Sequence, residues 1–214
     1  MCKHFVLPPS IEFTTPSGVG VKTRFGVDFD PTQHSYGKDD QGRTIPSVSK
    51  LANPNRGFIS TKARIAMSNG TAVHANLEAV MNGVANGERI TKKGCADERT
   101  HDMAMRWRAK VHLINTIPCS EVRFVCTLTN GDETLHYAGT ADVVEVSRSG
   151  CPKNVIDWKT GGKSAWHKQQ IGLYALAMGL NRGVIIYEKD HDFANMVSAE
   201  TAIGMVRAYH EKNI

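Results

Sequence analysis

Asp142, Asp157 and Lys159 carry the chemistry this sequence offers most plainly. Carboxylates are the hard oxygen ligands that Mg²⁺ accepts, one or two at a time alongside water and substrate phosphate. A lysine two residues after the second acid adds a compact point charge. Just downstream, Gln170 and Tyr174 stand one helical turn apart. Two acids, a lysine and a helix buttress are the parts of a metal-dependent phosphodiesterase site. The ion polarises the scissile phosphate and activates water, while Lys159 orients that water or offsets the charge that develops in the transition state. An Asp-x-Lys pair by itself is ordinarily a solvated ion pair of little worth, so its companions decide the reading.

The elements that must position these groups are legible in the local pattern. Residues 154–160 (NVIDWKT) read as a strand. Side chains two apart on a strand share a face, so Asp157 and Lys159 point one way and Trp158 the other. The valine-rich run YAGTADVVEV reads as a second strand, and SRSGCPK between them has the composition of a turn. A hairpin of the two brings Asp142 beside Asp157. Upstream, Val73, Leu77, Val80, Met81 and Val84 form a helical apolar stripe. Asn69-Gly70 ends one helical run and Thr71 caps the next. His74 and Glu78, four apart, share a neighbouring face. His74 reads as a half-buried hydrogen-bonded residue, a metal ligand or a neighbour of the phosphate; Glu78 reads as a solvated charge. Tyr174 and Gln170 read either as core and boundary positions or as supports of the site.

Along the rest of the chain, residues 1–20 are rich in Pro, Ser, Gly and Thr and suggest a loose arm. Residues 24–45 suggest a hairpin about the turn KDDQG. Pro46 and Ser47 begin a short helix, where Ser47 and Ser49 either cap the helix or hold a phosphate. Helices are expected near 60–69, 71–83 and 98–115, strands near 120–128, 135–146 and 153–160, a helix over 163–179, a buried strand at 183–190, and a last helix capped by Ser198. This helix–strand–strand–strand–helix–strand order places the chain in the α/β class, with a central mixed sheet flanked by helices. At 214 residues one domain with a full core is expected.

The net charge of +5 permits a nucleic-acid partner without requiring one. Distribution says more. Over 98–115 Met103, Trp107, Val111 and Ile114 make an apolar stripe, and Arg99, Arg106 and Lys110 fall on another face. Beside a phosphodiesterase site such a face becomes a candidate phosphate track, to which Lys62, Arg64, Lys92, Lys93, Lys163 and Lys168 could add. No apolar run approaches the roughly 20 residues of a membrane span, and the N-terminus lacks the apolar content of a secretion signal. Five scattered cysteines without C-x-x-C pairs suit free thiols in a reducing cytoplasm and argue against structural zinc.

Several short motifs carry a resemblance. GTAVH (70–74), GTAD (139–142), DWKTG (157–161) and QIGLY (170–174) resemble, in order, the G-x-x-x-H, G-x-x-D, D-x-K-T and Q-x-x-x-Y elements of the RecB-type branch of the PD-(D/E)XK nuclease superfamily. HSYGKDDQGRTIPSVSKL (34–51) resembles the opening of phage exonucleases and of the mitochondrial genome maintenance exonuclease. The likeness runs from His34 to Tyr174. It implies a restriction-endonuclease-like αβββαβ core. It also implies Mg²⁺ or Mn²⁺ held by His74, Asp142, Asp157 and the Trp158 carbonyl, with Lys159 as the catalytic lysine. Gln170 and Tyr174 would support the site, and Glu121 would match an acidic residue of relatives. Ala141 replaces the proline of the family name, and Ser49 stands where the opening motif ends in threonine. Some relatives hold an iron–sulfur cluster on four cysteines, three of them after the core; no cysteine follows Tyr174 here, so no cluster is expected. The implied activity is a DNA exonuclease, phage-encoded and cytoplasmic, acting on single- or double-stranded DNA in recombination, repair or degradation, with a recombination or replication protein as partner. An endonuclease of the same fold, a non-catalytic nucleic-acid-binding module and a hydrolase of other substrates remain open.

Overall fold

The computed structural model describes residues 7–30, 35–54 and 61–213, with side chains from residue 68 onward in the last stretch. His34 and the side chains of Lys62 and Arg64 lie outside the described residues. Seven strands form one sheet in chain order: β1 (Ser10–Thr14), β2 (Gly20–Phe25), β3 (Ile117–Asn130), β4 (Glu133–Val146), β5 (Pro152–Lys159), β6 (Arg182–Tyr187) and β7 (His191–Asn195). All neighbours pair antiparallel except β5 and β6, which are parallel. The helices are α1 (Val48–Ala52), α2 (Thr61–Ala85), α3 (Glu98–Arg106), α4 (Ala165–Ala177) and α5 (Ala199–Lys212). From α3 to β6 the order is the expected αβββαβ, with α4 making the crossover that a parallel pair requires.

The strand alternation divides the core in two. Val155, Ile185 and Tyr187 join Leu173, Leu176 and Ile203 in one cluster, shared by α1, α4 and α5. Ile156, Trp158, Val184 and Ile186 join Leu77, Met81, Met103 and Trp107 in the other, under α2 and α3. Burying Leu77 and Met81 completely stabilises the fold by about 1.5–3 kcal/mol each. Successive residues of β5 therefore face opposite layers. Asp157 and Lys159 belong to the α4 side, and Trp158 is driven to the α2 side. Among the described residues no helix is long and apolar enough to cross a membrane.

Several elements depart from the sequence expectation. One helix runs from Thr61 to Ala85 where two were expected. Gly70 does not break it; a Cβ there would stand 2.9 Å from Thr160 Oγ1, so the glycine marks a close approach of α2 to the end of β5. The helix expected over 98–115 stops at Val111 after a π-turn, Trp107–Val111. His112 leaves the helix there, and its Nδ1 meets the fully buried Glu145 carboxyl, which also accepts from Asn154 Nδ2 at 2.9 Å. Residues 10–14, expected within a loose arm, form the edge strand β1. The expected hairpin at 24–45 is reduced to isolated bridges, Asp30 with Ser35 and Lys38 with Thr44. The strand expected over 183–190 ends at Tyr187, whose N–H closes a turn on Asp190 O at 2.8 Å. The sheet then continues as β7, which has the polar composition of a solvated edge.

Candidate active site

The β4–β5 ladder determines the geometry of the site. Its pairs run from Val146 opposite Pro152 to Val143 opposite Ile156, and there the pairing stops. One further step in the same register sets Asp142 opposite Asp157. Directly opposed residues hold their Cβ atoms about 4.5–5.5 Å apart. In a continuing ladder the Trp158 N–H would bond to the β4 backbone. Here it donates to Asp142 Oδ2 at 2.7 Å. The Asp142 carboxylate thus closes the fork between the strands, and its orientation is set by a backbone bond that burial makes obligatory.

On the other side of β4, Ser120 pairs with Val143 and Val122 with Ala141. Glu121 falls between them, opposite Asp142, with a backbone φ of 50°. That left-handed conformation is uncommon for a residue other than glycine, and such outliers gather where function over-determines the backbone. Glu121, Asp142 and Asp157 therefore lie in a row across three adjacent strands. From α2, His74 Nδ1 comes to 3.4 Å from Asp142 Oδ1, and the charge of half-buried Glu78 reaches Glu121. Lys159 Nζ lies 2.6 Å from Asp157 Oδ2 and 5.4 Å from the centroid of Trp166, the second residue of α4.

The electrostatics follow from burial and like charge. Burial raises the Asp157 carboxyl; with the like charge of Asp142 added, it outweighs the Lys159 ammonium, and the group is pushed up to about 6. Burial acts on Asp142 in the same sense, but the hydrogen bond and charge of His74, the Lys159 ammonium and the Trp158 N–H prevail and hold it below the usual carboxylate range. The two acids titrate as a pair, Asp142 ionising first. Burial disfavours the His74 imidazolium, yet Asp142 overcomes this and raises the imidazole. Glu121 is pushed up to about 7 by desolvation and by the charges of Asp142 and Glu78.

Gln170 and Tyr174 are hydrogen-bonded to one another and to β4. Gln170 Nε2 donates to Tyr174 Oη at 3.1 Å, and the Tyr174 hydroxyl donates to Thr140 O at 2.8 Å. This tether fixes β4 two residues before Asp142. It needs Gly139, because a Cβ there would meet Tyr174 Cε1 at 2.9 Å and Phe124 Cζ at 3.0 Å. A second tether was not assigned from the sequence: the Tyr36 hydroxyl meets Thr140 Oγ1 at 2.8 Å. Its signal was the tyrosine of the opening motif, which local pattern alone could not connect to residue 140.

The basic residues are less exposed to a ligand than their sequence spacing suggested. Arg99 Nη2 donates to Thr160 O at 2.9 Å and pairs with Glu188. Arg106 Nη1 donates to the Tyr187 and Glu188 carbonyls at 3.1 and 2.6 Å. Both guanidiniums clamp α3 to the ends of β5 and β6 instead of forming an open phosphate face. Lys163 pairs with Asp190 at 2.5 Å, Lys168 with Asp192 at 3.1 Å and Lys92 with Glu98 at 3.2 Å. Lys110 is exposed on the π-turn. Ser47 Oγ accepts from Lys50 N at 3.3 Å, an ordinary cap, and Ser49 is exposed beside it.

The donor set fits a hard divalent cation in kind: two carboxylates side by side, Asp142 half-buried and Asp157 buried, the second pushed up to about 6 by burial and by the charge of the first. It is not assembled as a ligand cage. Among the described residues no group of three His, Cys, Asp or Glu side chains stands at metal-binding spacing. Lys159 stands on one acid and His74 on the other instead.

No family model matches the chain, and no curated protein matches it. Two solved structures share its outline. The crystal structure of SSO0001 aligns over 76% of this chain and 73% of its own, at 16% identity and a TM-score of 0.45. An alkaline exonuclease from Laribacter hongkongensis aligns over 78% of this chain and 87% of its own, at 9% identity and a TM-score of 0.39. At these TM-scores neither likeness bears on the chemistry of the chain.

Proposed function

We propose that this protein is a Mg²⁺- or Mn²⁺-dependent deoxyribonuclease, an exonuclease of the RecB-like type, phage-encoded and acting in DNA recombination, repair or degradation. The observation that carries the reading is the strand register that opposes Asp142 to Asp157 with Lys159 on the second acid. His74, Asp142, Asp157 and the Trp158 carbonyl would hold the ion, with Glu121 beside them. A divalent ion bound there polarises the scissile phosphate and makes water a stronger nucleophile at neutral pH.

The remaining work falls to side chains. His74 and the Trp158 N–H keep Asp142 ionised and aimed. Asp157, which burial and the neighbouring Asp142 charge raise to about 6 without an ion, would offer its carboxylate to the cation at neutral pH. The Lys159 ammonium, held beside Asp157, would orient the attacking water and offset charge developing on the phosphate. Tyr174, through Thr140, keeps β4 from sliding as charge moves. Ser47, Ser49, Lys110 and Lys163 are proposed to contact DNA backbone beyond the site.

The test is end-labelled linear DNA with Mg²⁺, with Mn²⁺ or with EDTA, using wild type and Lys159→Ala. Cleavage that needs the metal and falls by about 100-fold or more in the variant supports the reading. Cleavage that survives both EDTA and the substitution rejects it. Circular DNA left intact identifies an exonuclease; nicked circles identify an endonuclease of the same fold.

A further inference from the structure

A groove of about 880 Å³ opens between the segment before α1, α1 itself and the C-terminal half of α5. One wall is aromatic. The Phe29 and Tyr36 rings stand 4.8 Å apart at 44°, and the Arg123 guanidinium lies 5.9 Å over the Phe29 ring. The opposite wall carries Tyr209 and Lys212 from α5, with Lys50 from α1 at the rim. The described residues that line the groove include lysines and no acid.

The groove connects to the candidate site through one residue. Thr140 binds the Tyr36 hydroxyl by its own hydroxyl and the Tyr174 hydroxyl by its carbonyl. Arg123 is its cross-strand partner on β3. Asp142 follows two residues later, roughly 7 Å along the strand. Gln169 lines the groove, and its neighbour Gln170 supports the site. The aromatic wall is therefore anchored to the strand that carries the first acid.

We propose that this groove seats an unpaired stretch of a DNA strand whose phosphodiester is presented at Asp142 and Asp157. Bases stack on Phe29–Tyr36 and on Tyr209, and Lys50, Lys212 and Arg123 follow the phosphates. The occupant is single-stranded because ring faces serve only bases whose own faces are free, and a duplex hides them in its stack. A polyanion matches the described lining, which has cations and no carboxylate. The proposal rests on the nuclease reading for its direction into the site, and it names single-stranded DNA as the substrate.

The experiment is fluorescence anisotropy in EDTA, with a labelled single-stranded oligonucleotide and the same sequence as a blunt duplex. The proteins are wild type, Tyr36→Ala, Tyr209→Ala and Lys50→Glu/Lys212→Glu. Loss of one stacked base weakens single-strand binding by about tenfold or more, and duplex binding does not change. Tyr209 stands on the last helix away from the acids, so its variant tests the groove even where Tyr36→Ala fails to fold. Single-strand affinity that is unchanged in the folded variants overturns the proposal, as does a parallel loss for duplex in the tyrosine variants. A concentration-dependent mass doubling that Tyr209→Ala abolishes overturns it too, because the groove then seats a second copy of the chain. Cleavage with Mg²⁺ or Mn²⁺ by a protein whose single-strand binding ignores the tyrosines keeps the nuclease reading and removes the groove. Tyrosine-dependent single-strand binding without cleavage does the reverse.

Discussion

The Asp142 carboxylate accepts the Trp158 N–H at 2.7 Å, the bond that would otherwise close the β4–β5 ladder. The sheet forks at that point, and the side chain of one acid becomes the last rung before the other. A carboxylate in this position is both a structural acceptor and a candidate ligand. The two roles separate in the expected behaviour of variants.

Divalent ions should raise the thermal midpoint of the wild type at pH 8 and raise it less at pH 5. Binding needs both acids ionised, and Asp157 keeps its proton up to about 6. An ion at about one hundred times its Kd contributes about 2.7 kcal/mol. Scanning calorimetry with and without Mg²⁺ or Mn²⁺ checks this, and Asp142→Asn/Asp157→Asn should show no ion-dependent shift. An equal shift in the double variant would place the ion elsewhere.

Glu121→Gln should be more stable than the wild type at pH 8 and equal to it below about pH 4.5. The folded carboxyl titrates near 7, above its ordinary value of 4.5. The protonated form therefore favours folding, a contribution present at low pH and lost as pH rises through 7. The amide keeps the neutral form at every pH. Urea midpoints at the two pH values read the difference directly. Its size stays small because the Glu121 side chain is only partly removed from solvent.

Tyr174→Phe should cost about 1–3 kcal/mol of stability. It removes the donor to Thr140 O and leaves Gln170 Nε2 without its acceptor, in a region where Gln170 and Tyr174 are both buried. Urea unfolding measures the loss. A loss well under 1 kcal/mol would mean that water replaces the hydroxyl.

Gly70→Ala trades two effects. An interior glycine costs a helix about 1 kcal/mol relative to alanine, but the new Cβ meets Thr160 Oγ1 at 2.9 Å, next to Lys159. Stability should change by less than about 1 kcal/mol while cleavage slows, because the Thr160 side chain must give way next to Lys159. Gly70→Ile, which forces the backbones apart, should lower both. Turnover at wild-type level in Gly70→Ile would show that this approach has no role.

The sequence by itself determined the local pieces. Period-two and period-3.6 patterns placed β3, β4, β5, α4 and α5 within a few residues, because burial on one face writes itself into the order of apolar side chains. Asp142, Asp157 and Lys159 were legible for the same reason: parity on a short strand assigns a face without any knowledge of the fold. Edge strands escaped this logic, since β1 and β7 bury too little to be patterned. Gly70 was misread because a glycine that ends a helix and one that makes room for a distant side chain, here that of Thr160, look alike in one dimension.

What the tertiary structure alone decided are relationships between distant residues. Nothing near Glu121 announces that its backbone turns left-handed opposite Asp142. Arg99 and Arg106 read as a basic face, but hydrogen-bond acceptors 61 to 82 residues away claim their guanidiniums. The Tyr36–Thr140 bond spans 104 residues. Hydrogen bonds and ion pairs act through space over a few ångströms, whereas patterning acts along the chain. Only folding makes the first a consequence of the second.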